Sequence, residues 1–259
     1  MNLNARQLQI TELVHSDGEY SVDRLAERFG VSGMTIRRDL QALAEEGKIL
    51  RTHGGAVATQ HVSFEFQFLS RVRENEPAKQ AIALAATQLV GEGQSVMLDS
   101  GTTTLALAQH LRQRQALTVI TTSLPIAAAL QDRGQIQVLL LGGYLRRGTP
   151  DLAGALTESN LEGLRADVAF VGADGIDEAG NIYNESIEVG RMLERMTAAA
   201  QRVYVVADSS KIGKKALYRF GQVARWQGLL TDEGIDESMH RRLKREGVKT
   251  IVAKPRRTT

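Results

Sequence analysis

The sequence predicts an α/β protein in two parts, a small winged helix-turn-helix joined to a larger, mostly parallel α/β domain. Three short amphipathic helices and a Gly-Gly turn fill the first sixty residues. After residue 79, apolar strands alternate with helices, as in a parallel sheet that is covered on both faces. We predict a winged helix-turn-helix over residues 1–57, a linker over 58–78 and the α/β domain over 79–259.

The composition excludes several classes of protein. Of the 259 residues, 42% are hydrophobic and 24% are charged, which is ordinary for a soluble globular chain. No uncharged apolar stretch approaches the roughly 20 residues of a membrane span, so we expect no membrane partner. Cysteine is absent, which excludes disulfides and fits a cytoplasmic location. The five histidines have no metal-ligand spacing, and we expect no metal site and no cofactor.

The first three helices have clear start and stop signals. The first covers roughly residues 4–16. Ser21 is a predicted N-cap for the second, which Gly30 ends, and Ser32 is a predicted N-cap for the third, which Gly47 ends. One residue and the caps separate the last two helices, and this tight turn is typical of a helix-turn-helix.

The third helix carries a polar face opposite its apolar stripe. Ile36, Leu40 and Leu43 form the stripe, and two arginines point away from it. Arginine suits contacts with guanine or phosphate, and glutamine suits adenine. The first sixty residues hold seven basic and eight acidic side chains, so this interpretation depends on where the charges lie. Asp39 lies near the core edge, where it could pair with an arginine.

A short strand pattern and the Gly54-Gly55 turn follow the third helix and predict the wing. The wing would bring basic side chains to the DNA backbone. The predicted DNA-binding residues are Ser32, Met34, Thr35, Arg37, Arg38, Gln41, Arg51 and His53.

The segment before the α/β domain has no clear periodicity. Phe64, Phe66 and Phe68 alternate, which leaves a short strand or an extended linker open. Beyond it, the predicted strands are 95–99, 117–121, 136–141, 167–174, 202–208, 226–232 and 248–253. The predicted helices are 79–90, 105–111, 125–131, 152–164, 188–200 and 236–246.

Hydroxyls, cations and carboxylates follow the ends of five predicted strands. Ligands of open α/β sheets bind at these carboxyl ends. The DSGTTT segment also starts a helix, where backbone amides and hydroxyls can converge on an anion. This chemistry suits a phosphorylated polyol. The predicted effector-binding residues are Asp99, Ser100, Gly101, Thr102, Thr103, Thr104, Thr122, Gly143, Arg146, Asp174, Asp177 and Lys211.

The segment SGMTIRRDLQALAEEGKILRTHGGA resembles the N-terminal domain of the DeoR (GlpR-type) family of bacterial regulators, and DSGTTT, LLGGYLRR, GADGID and DSSK resemble its sensor domain. The resemblance implies operator binding by the helix that starts near Ser32. It also implies a sensor domain similar in fold to ribose-5-phosphate isomerase. The family places a glutamate after GADGID, a position for which Glu185 and Glu188 compete, so Glu188 joins the predicted effector-binding residues. Family members commonly have Thr-Asn where this chain has Thr121-Thr122, which replaces an amide by a hydroxyl.

The resemblance and the strand-end chemistry together predict a function. We expect a repressor of a carbohydrate-metabolism operon, a homo-oligomer whose partners are double-stranded operator DNA and a phosphorylated sugar effector. An alternative is a sugar-phosphate isomerase-like enzyme with an appended DNA-binding domain, in which Glu185, Glu188, Asp174 and Lys211 could serve. In a third interpretation the large domain only drives oligomerisation.

Overall fold

The computed structural model describes residues 4–46, 48–52, 54–58, 64–132 and 135–254, except the side chains of 58, 64–67 and 69. The chain divides into two compact units, Met1–Gln67 and Phe68–Thr259. Gly47, the predicted end of the third helix, and His53 of the predicted wing lie outside the described residues.

The N-terminal unit is a winged helix-turn-helix. Its elements are α1 (Ala5–Asp17), β1 (Glu19–Ser21), α2 (Val22–Phe29), α3 (Gly33–Glu45), β2 (Ile49–Arg51) and β3 (Gly55–Ala58). Ser21 and Ser32 cap α2 and α3 by accepting hydrogen bonds from backbone amides, and Gly30 ends α2 with a φ of 60°. The strands form an antiparallel sheet in the order β1-β3-β2. Strand β1 was not predicted, because three residues are too few to show an alternating pattern.

The apolar stripe of α3 forms the core of this unit. Ile36, Leu40 and Leu43 are buried against Ile10 of α1 and Leu25 of α2, as the helical spacing predicts. Burying this stripe fixes the rotation of α3, so the opposite face of the helix must point to solvent.

The second unit is an α/β domain. Its helices are α4 (Phe64–Arg73, which begins before the unit boundary), α5 (Glu76–Thr87), α6 (Thr102–Leu111), α7 (Leu124–Leu130), α8 (Ala155–Asn160), α9 (Ile187–Ala198) and α10 (Glu237–Arg245). Its strands are β4 (Ser95–Leu98), β5 (Leu117–Thr121), β6 (Ile136–Leu140), β7 (Tyr144–Leu145), β8 (Leu152–Ala153), β9 (Ala166–Val171), β10 (Gly175–Ile176), β11 (Asn181–Asn184), β12 (Ala200–Val206), β13 (Tyr218–Gln222), β14 (Gly228–Asp232) and β15 (Thr250–Ala253).

Seven of these strands form one parallel sheet in the order β15-β14-β12-β9-β4-β5-β6. One face is covered by α5, α6 and α7, with Ile82 and Leu107 in that core. The other face is covered by α9 and a small antiparallel sheet, β10-β11-β13, with Met192 and Ile182 in that core. The predicted fold class, a parallel sheet covered on both faces, is confirmed.

Four parts of this unit differ from the sequence prediction. The phenylalanines at 64–68 lie in helix α4 instead of a strand or extended linker. The predicted helix 152–164 is replaced by β8 and the short α8, because Gly154 between them has a φ of 106°, which is not helical. The small antiparallel sheet was not predicted. Strand β6 was predicted to be buried, but Leu139 and Leu140 are exposed.

Candidate nucleic-acid interface and effector cleft

The outer face of α3 presents the predicted DNA-binding side chains to solvent. Arg37, Arg38 and Gln41 are exposed, and Met34 is 60% exposed although its side chain is apolar. At the start of the helix, the Ser32 hydroxyl accepts a hydrogen bond from the Thr35 amide at 3.2 Å. This cap fixes the first turn, the part of a recognition helix that reaches the base edges.

The wing meets α3 through its arginine. Arg51 on β2 donates a hydrogen bond to the side-chain oxygen of Gln41, and the Gln41 amide donates to Glu45 at 2.7 Å. The structure therefore brings two predicted DNA-binding residues together on one exposed surface. In the free protein each already has a partner, which DNA would have to replace.

A buried carboxylate links α3 to α1. Asp39 is 5% exposed, and it accepts hydrogen bonds from Arg6 at 2.6 Å and from the Gln7 amide at 3.2 Å. The hydrogen bond to Asp39 raises the pKa of Arg6 above its ordinary value. This is the arginine pairing that the sequence left open for Asp39, and it helps to orient the recognition helix.

A cleft of about 260 Å³ lies where β4, β9 and β12 end in the second unit. Eight of the predicted effector-binding residues line it: Asp99, Ser100, Gly101, Thr102, Thr103, Arg146, Asp174 and Lys211. The convergence expected for the carboxyl ends of parallel strands therefore holds for the segments that follow these three strands.

The N-terminus of α6 opens on the cleft without a side-chain cap. Gly101 occupies the N-cap position and offers no side chain to the amides of the first turn, which begins with Thr102 and Thr103. These amides have no acceptor within the helix, and the helix dipole adds partial positive charge. These amides are chemically suited to an anion at this end of the cleft.

Asp99 holds the loop before α6 against the neighbouring strand. One carboxylate oxygen accepts from the Gly101 amide at 2.8 Å and the Thr104 hydroxyl at 2.7 Å, and the other accepts from the Gly172 amide at 2.5 Å. Burial raises the pKa of Asp99 in spite of these bonds. Asp99 therefore positions the loop, and its oxygens are already occupied.

Basic side chains approach the cleft from separate elements. Lys79 of α5 is only 6% exposed and donates to the carbonyl of Arg71, and burial lowers the pKa of its ammonium group. Lys211 is half-buried in the turn after β12. Arg146 makes a bidentate ion pair with the buried Asp151, at 3.0 and 2.8 Å.

Acidic and polar groups complete the wall. Asp151 also accepts a hydrogen bond from the Ser100 hydroxyl at 2.5 Å, so it connects Arg146 to the segment that precedes α6. Asp174 accepts from the amide of Glu185 at 3.0 Å, and Glu185 lines the cleft. Of the two competing glutamates, Glu185 is the one on the cleft wall, whereas Glu188 lines a different groove, beside α8.

Two of the other predicted effector residues have roles in the local packing. Thr104 is fully buried and bonded to Asp99, behind the cleft. Gly143 lies against α8, where an added Cβ would come within 2.1 Å of the Thr157 hydroxyl. Neither lines the cleft, so their sequence pattern reflects close packing.

The remaining two predicted residues also lie off the cleft. Asp177 accepts from the Ala179 and Asn181 amides at 3.0 and 2.9 Å and from the Tyr183 hydroxyl at 2.8 Å, which closes the turn into β11. Burial raises its pKa, but these hydrogen bonds outweigh burial and lower it overall. Thr122 is buried after β5, and its hydroxyl has no hydrogen-bond partner among the described residues.

Sequence reasoning missed the cleft residues that precede the sheet or follow its minor strands. They are Arg71, Glu74, Lys79, Thr149, Asn184 and Glu185, the last considered only as a competitor of Glu188. One signal was available for Lys79: it falls on the apolar stripe of α5 with Ile82, Ala83 and Ala86, at helical spacing. A charged residue on a buried stripe indicates a specific role.

No described helix is both long and apolar enough to span a membrane. No group of three or more metal-ligating side chains was found in the part of the chain that the structure covers.

The fold and the cleft together define a DNA-binding regulator with a ligand-sensing domain. The chain matches the DeoR-like helix-turn-helix domain over residues 6–62 and the DeoR C terminal sensor domain over residues 74–233. The chain belongs to the DeoR family of helix-turn-helix transcriptional regulators, which confirms the predicted family and class of protein.

Similar proteins are known by sequence and by fold. A putative aga operon transcriptional repressor of Escherichia coli O157:H7 is 32% identical, over 95% of this chain and 93% of that one. A glycerol-3-phosphate regulon repressor of Escherichia coli K12 is 32% identical, over 90% of this chain and 92% of that one. Ribose 5-phosphate isomerase A from Methanocaldococcus jannaschii is similar in structure, with a TM-score of 0.41 and 21% identity over 53% of this chain and 55% of that one.

Proposed function

We propose that the protein represses a carbohydrate-metabolism operon and that a phosphorylated sugar in the cleft controls its affinity for operator DNA. Two similar proteins are named as repressors, one of the aga operon and one of the glycerol-3-phosphate regulon. The second name includes a phosphorylated polyol, the chemical class that the strand-end residues favour. A repressor acts where its operator is, so the proposal places the protein in the cytoplasm.

The observation that carries the proposal is the pairing of an uncapped helix N-terminus with ammonium groups in one cleft. The amides at the start of α6 suit the oxygens of a phosphate group, and Lys79 and Lys211, which line the same cleft, supply point charges. Arg146 closes that side through its ion pair with Asp151. A sulfate or carboxylate ligand could use the same groups, but the carboxylates of Asp174 and Glu185 in the cleft select against a ligand without hydroxyls.

Hydroxyl groups of a ligand suit the acidic and amide side chains that line the cleft. Asp174 and Glu185 provide carboxylate oxygens there, and Asn184 provides an amide. A phosphorylated sugar presents an anion at one end and several hydroxyl donors along its length. It therefore matches both the basic and the acidic groups that line the cleft, whereas a free sugar brings no anion for Lys79 and Lys211.

In the proposed function, the exposed face of α3 contacts the operator DNA. Arg37, Arg38 and Gln41 would enter the major groove, and Arg51 would reach the backbone from the wing. A single winged helix makes few contacts, and regulators of this kind read paired half-sites as symmetric dimers. The proposal therefore includes a homo-oligomer.

The proposed function contains no catalytic step. A sugar-phosphate isomerase needs a free carboxylate base beside the substrate, and Asp99 is already held by three donors. Asp174 and Glu185 remain on the wall, so the enzyme alternative has a direct test. Incubation of the protein with aldose and ketose phosphates, followed by NMR, should show no interconversion; turnover would favour the alternative.

The proposal as a whole is tested by ligand-dependent stability and DNA binding. A panel of sugar phosphates is screened by thermal shift, in which an effector at about 100 times its Kd should add roughly 2.7 kcal/mol to the free energy of unfolding. The effector found should also change operator affinity, by about 1–3 kcal/mol of coupling. If no sugar phosphate stabilises the protein, the proposed effector class is wrong.

A further inference from the structure

An apolar sheet edge is left uncovered in the second unit. Strand β6 is the last strand of the parallel sheet, and among the described residues it pairs only with β5, on one side. Its sequence, IQVLL, has no charge and is typical of a fully buried strand, yet Leu139 and Leu140 are exposed to solvent. An apolar strand of this kind is normally buried, so we expect another surface to cover this edge.

Further exposed apolar side chains follow the strand along the chain. Tyr144 on β7 is 81% exposed and lies against Gly154, and Leu156 on α8 packs over Gly142. We call this area the β6 surface; its apolar side chains are Leu139, Leu140, Tyr144, Leu145, Leu156 and Ile187, all of which are exposed. Leu139 and Leu140 are consecutive strand residues and point to opposite faces of the sheet, so this edge exposes an apolar side chain on each face. An uncharged edge strand of this kind can pair with another chain.

The opposite edge of the same sheet is protected. Strand β15 has a similarly exposed apolar residue, Ile251, at 38% against 40% for Leu139. Lysines at positions 249 and 254 flank β15, and both are exposed. Charged residues at a sheet edge prevent pairing with another chain, and β6 has no such residue. The two edges therefore differ in the feature that decides whether a strand can pair.

Charges beside the β6 surface complement a second copy of it. The groove next to Ile187 is lined by three glutamates and two arginines. Within the described part of the chain, Arg195 contacts Glu158 at 3.9 Å, but Arg191, Glu162 and Glu188 enter no ion pair. In a two-fold interface each patch faces itself in reverse, so acids of one copy can meet arginines of the other.

From this geometry we infer that the β6 surface is where two copies of the chain associate, with β6 of each copy pairing antiparallel across a two-fold axis. The unpaired amides and carbonyls of one edge then satisfy those of the other, and the exposed leucines and Tyr144 are buried between the copies. The proposed function requires two copies at one operator, and this inference rests on that requirement and names the surface that joins them.

The test uses sedimentation velocity on the full chain, with charge placed on each edge in turn. Leu139→Lys and Tyr144→Asp disrupt the β6 surface at exposed positions, so the fold is expected to persist, and circular dichroism with thermal melting checks this. Ile251→Lys is the matched control on β15. Each β6-surface variant should raise the dissociation constant between copies roughly tenfold or more.

The inference predicts that wild type and Ile251→Lys sediment as the same oligomer, whereas Leu139→Lys and Tyr144→Asp shift to the smaller species at equal concentration. It is overturned if wild type is monomeric, or if both folded β6-surface variants keep the wild-type assembly. Operator binding is measured separately by fluorescence anisotropy. Loss of the oligomer in the two variants supports the surface even if wild type binds no operator, a result that would refute only the proposed function.

Discussion

Lys79→Met separates the charge of the cleft from its packing. The ammonium group lies on the buried stripe of α5, and the unbranched methionine side chain fills the same space. Because burial lowers the pKa of Lys79 in the folded protein, the unfolded chain binds this proton more tightly. The charge therefore lowers the free energy of unfolding at neutral pH. This cost begins to shrink as pH rises through the folded-state pKa and is gone only above the unfolded-state pKa. We expect the variant to fold. It loses the charged hydrogen bond to the Arg71 carbonyl, worth about 1.5–3 kcal/mol, but it also loses the cost of burying the charge, so the net fall in the free energy of unfolding should be smaller than that range.

The effect on the effector should be larger than the effect on the fold. A hydrogen bond to a charged group contributes about 1.5–3 kcal/mol, which corresponds to a loss of about 10- to 150-fold in affinity for a phosphorylated ligand. In wild type, this affinity should also fall as the pH is raised above neutral, because Lys79 loses its proton earlier than an ordinary lysine. The Lys79→Met variant should lack that part of the pH dependence.

Isothermal titration calorimetry with the sugar phosphate from the thermal-shift panel measures these affinities, and Lys249→Met, at an exposed lysine outside the cleft, is the matched control. Unchanged affinity in a folded Lys79→Met protein would refute the role of this ammonium group. Equal loss of phosphorylated and free sugar would show that the substitution damaged the cleft as a whole.

Three further predictions concern the N-terminal unit. Arg37→Ala and Arg38→Ala should each weaken operator binding, measured by fluorescence anisotropy, without unfolding the protein. Loss of the arginine that reads a base should cost roughly 1–3 kcal/mol of binding free energy and relax sequence specificity. Loss of the other should lower the salt dependence of binding by about one unit of slope. Asp39→Ala removes the buried partner of two α1 side chains and should lower the stability of this unit by about 1–3 kcal/mol in urea titration. Gly55→Ala should cost at least about 1–3 kcal/mol because its Cβ would lie 2.0 Å from a β1 carbonyl, whereas Gly54→Ala, with open space around it, should melt like wild type.

Helical spacing was sufficient to predict the recognition helix. Burying Ile36, Leu40 and Leu43 leaves only one rotation for α3, and the serine caps define where α2 and α3 begin. The part of the cleft at the ends of β4, β9 and β12 could also be predicted from the sequence, because parallel strands bring their carboxyl ends to one edge of the sheet. These features depend on local periodicity and on sheet topology, both of which the sequence carries.

Other parts of the cleft depend on tertiary contacts that no local pattern records. Asp177 closes a turn through three donors, and the sequence around it does not distinguish it from Asp174, which lines the cleft. Lys79 reaches the cleft only because α5 packs on the sheet beside β14 and β12, a placement decided by long-range packing. The sheet β10-β11-β13 escaped prediction since its strands are short and pair across a β-bulge.

The most direct measurement of the central claim is operator affinity of the full-length protein during titration with a sugar phosphate and, in parallel, with the same sugar without phosphate. The phosphorylated sugar should change the operator Kd by about 5- to 150-fold, and the free sugar should have little effect. Lys211→Ala should fold and bind operator as wild type does, but no longer respond at the same effector concentration. An equal response to the free sugar, or a wild-type response in Lys211→Ala, would contradict the assignment of the cleft as a phosphate-sensing site.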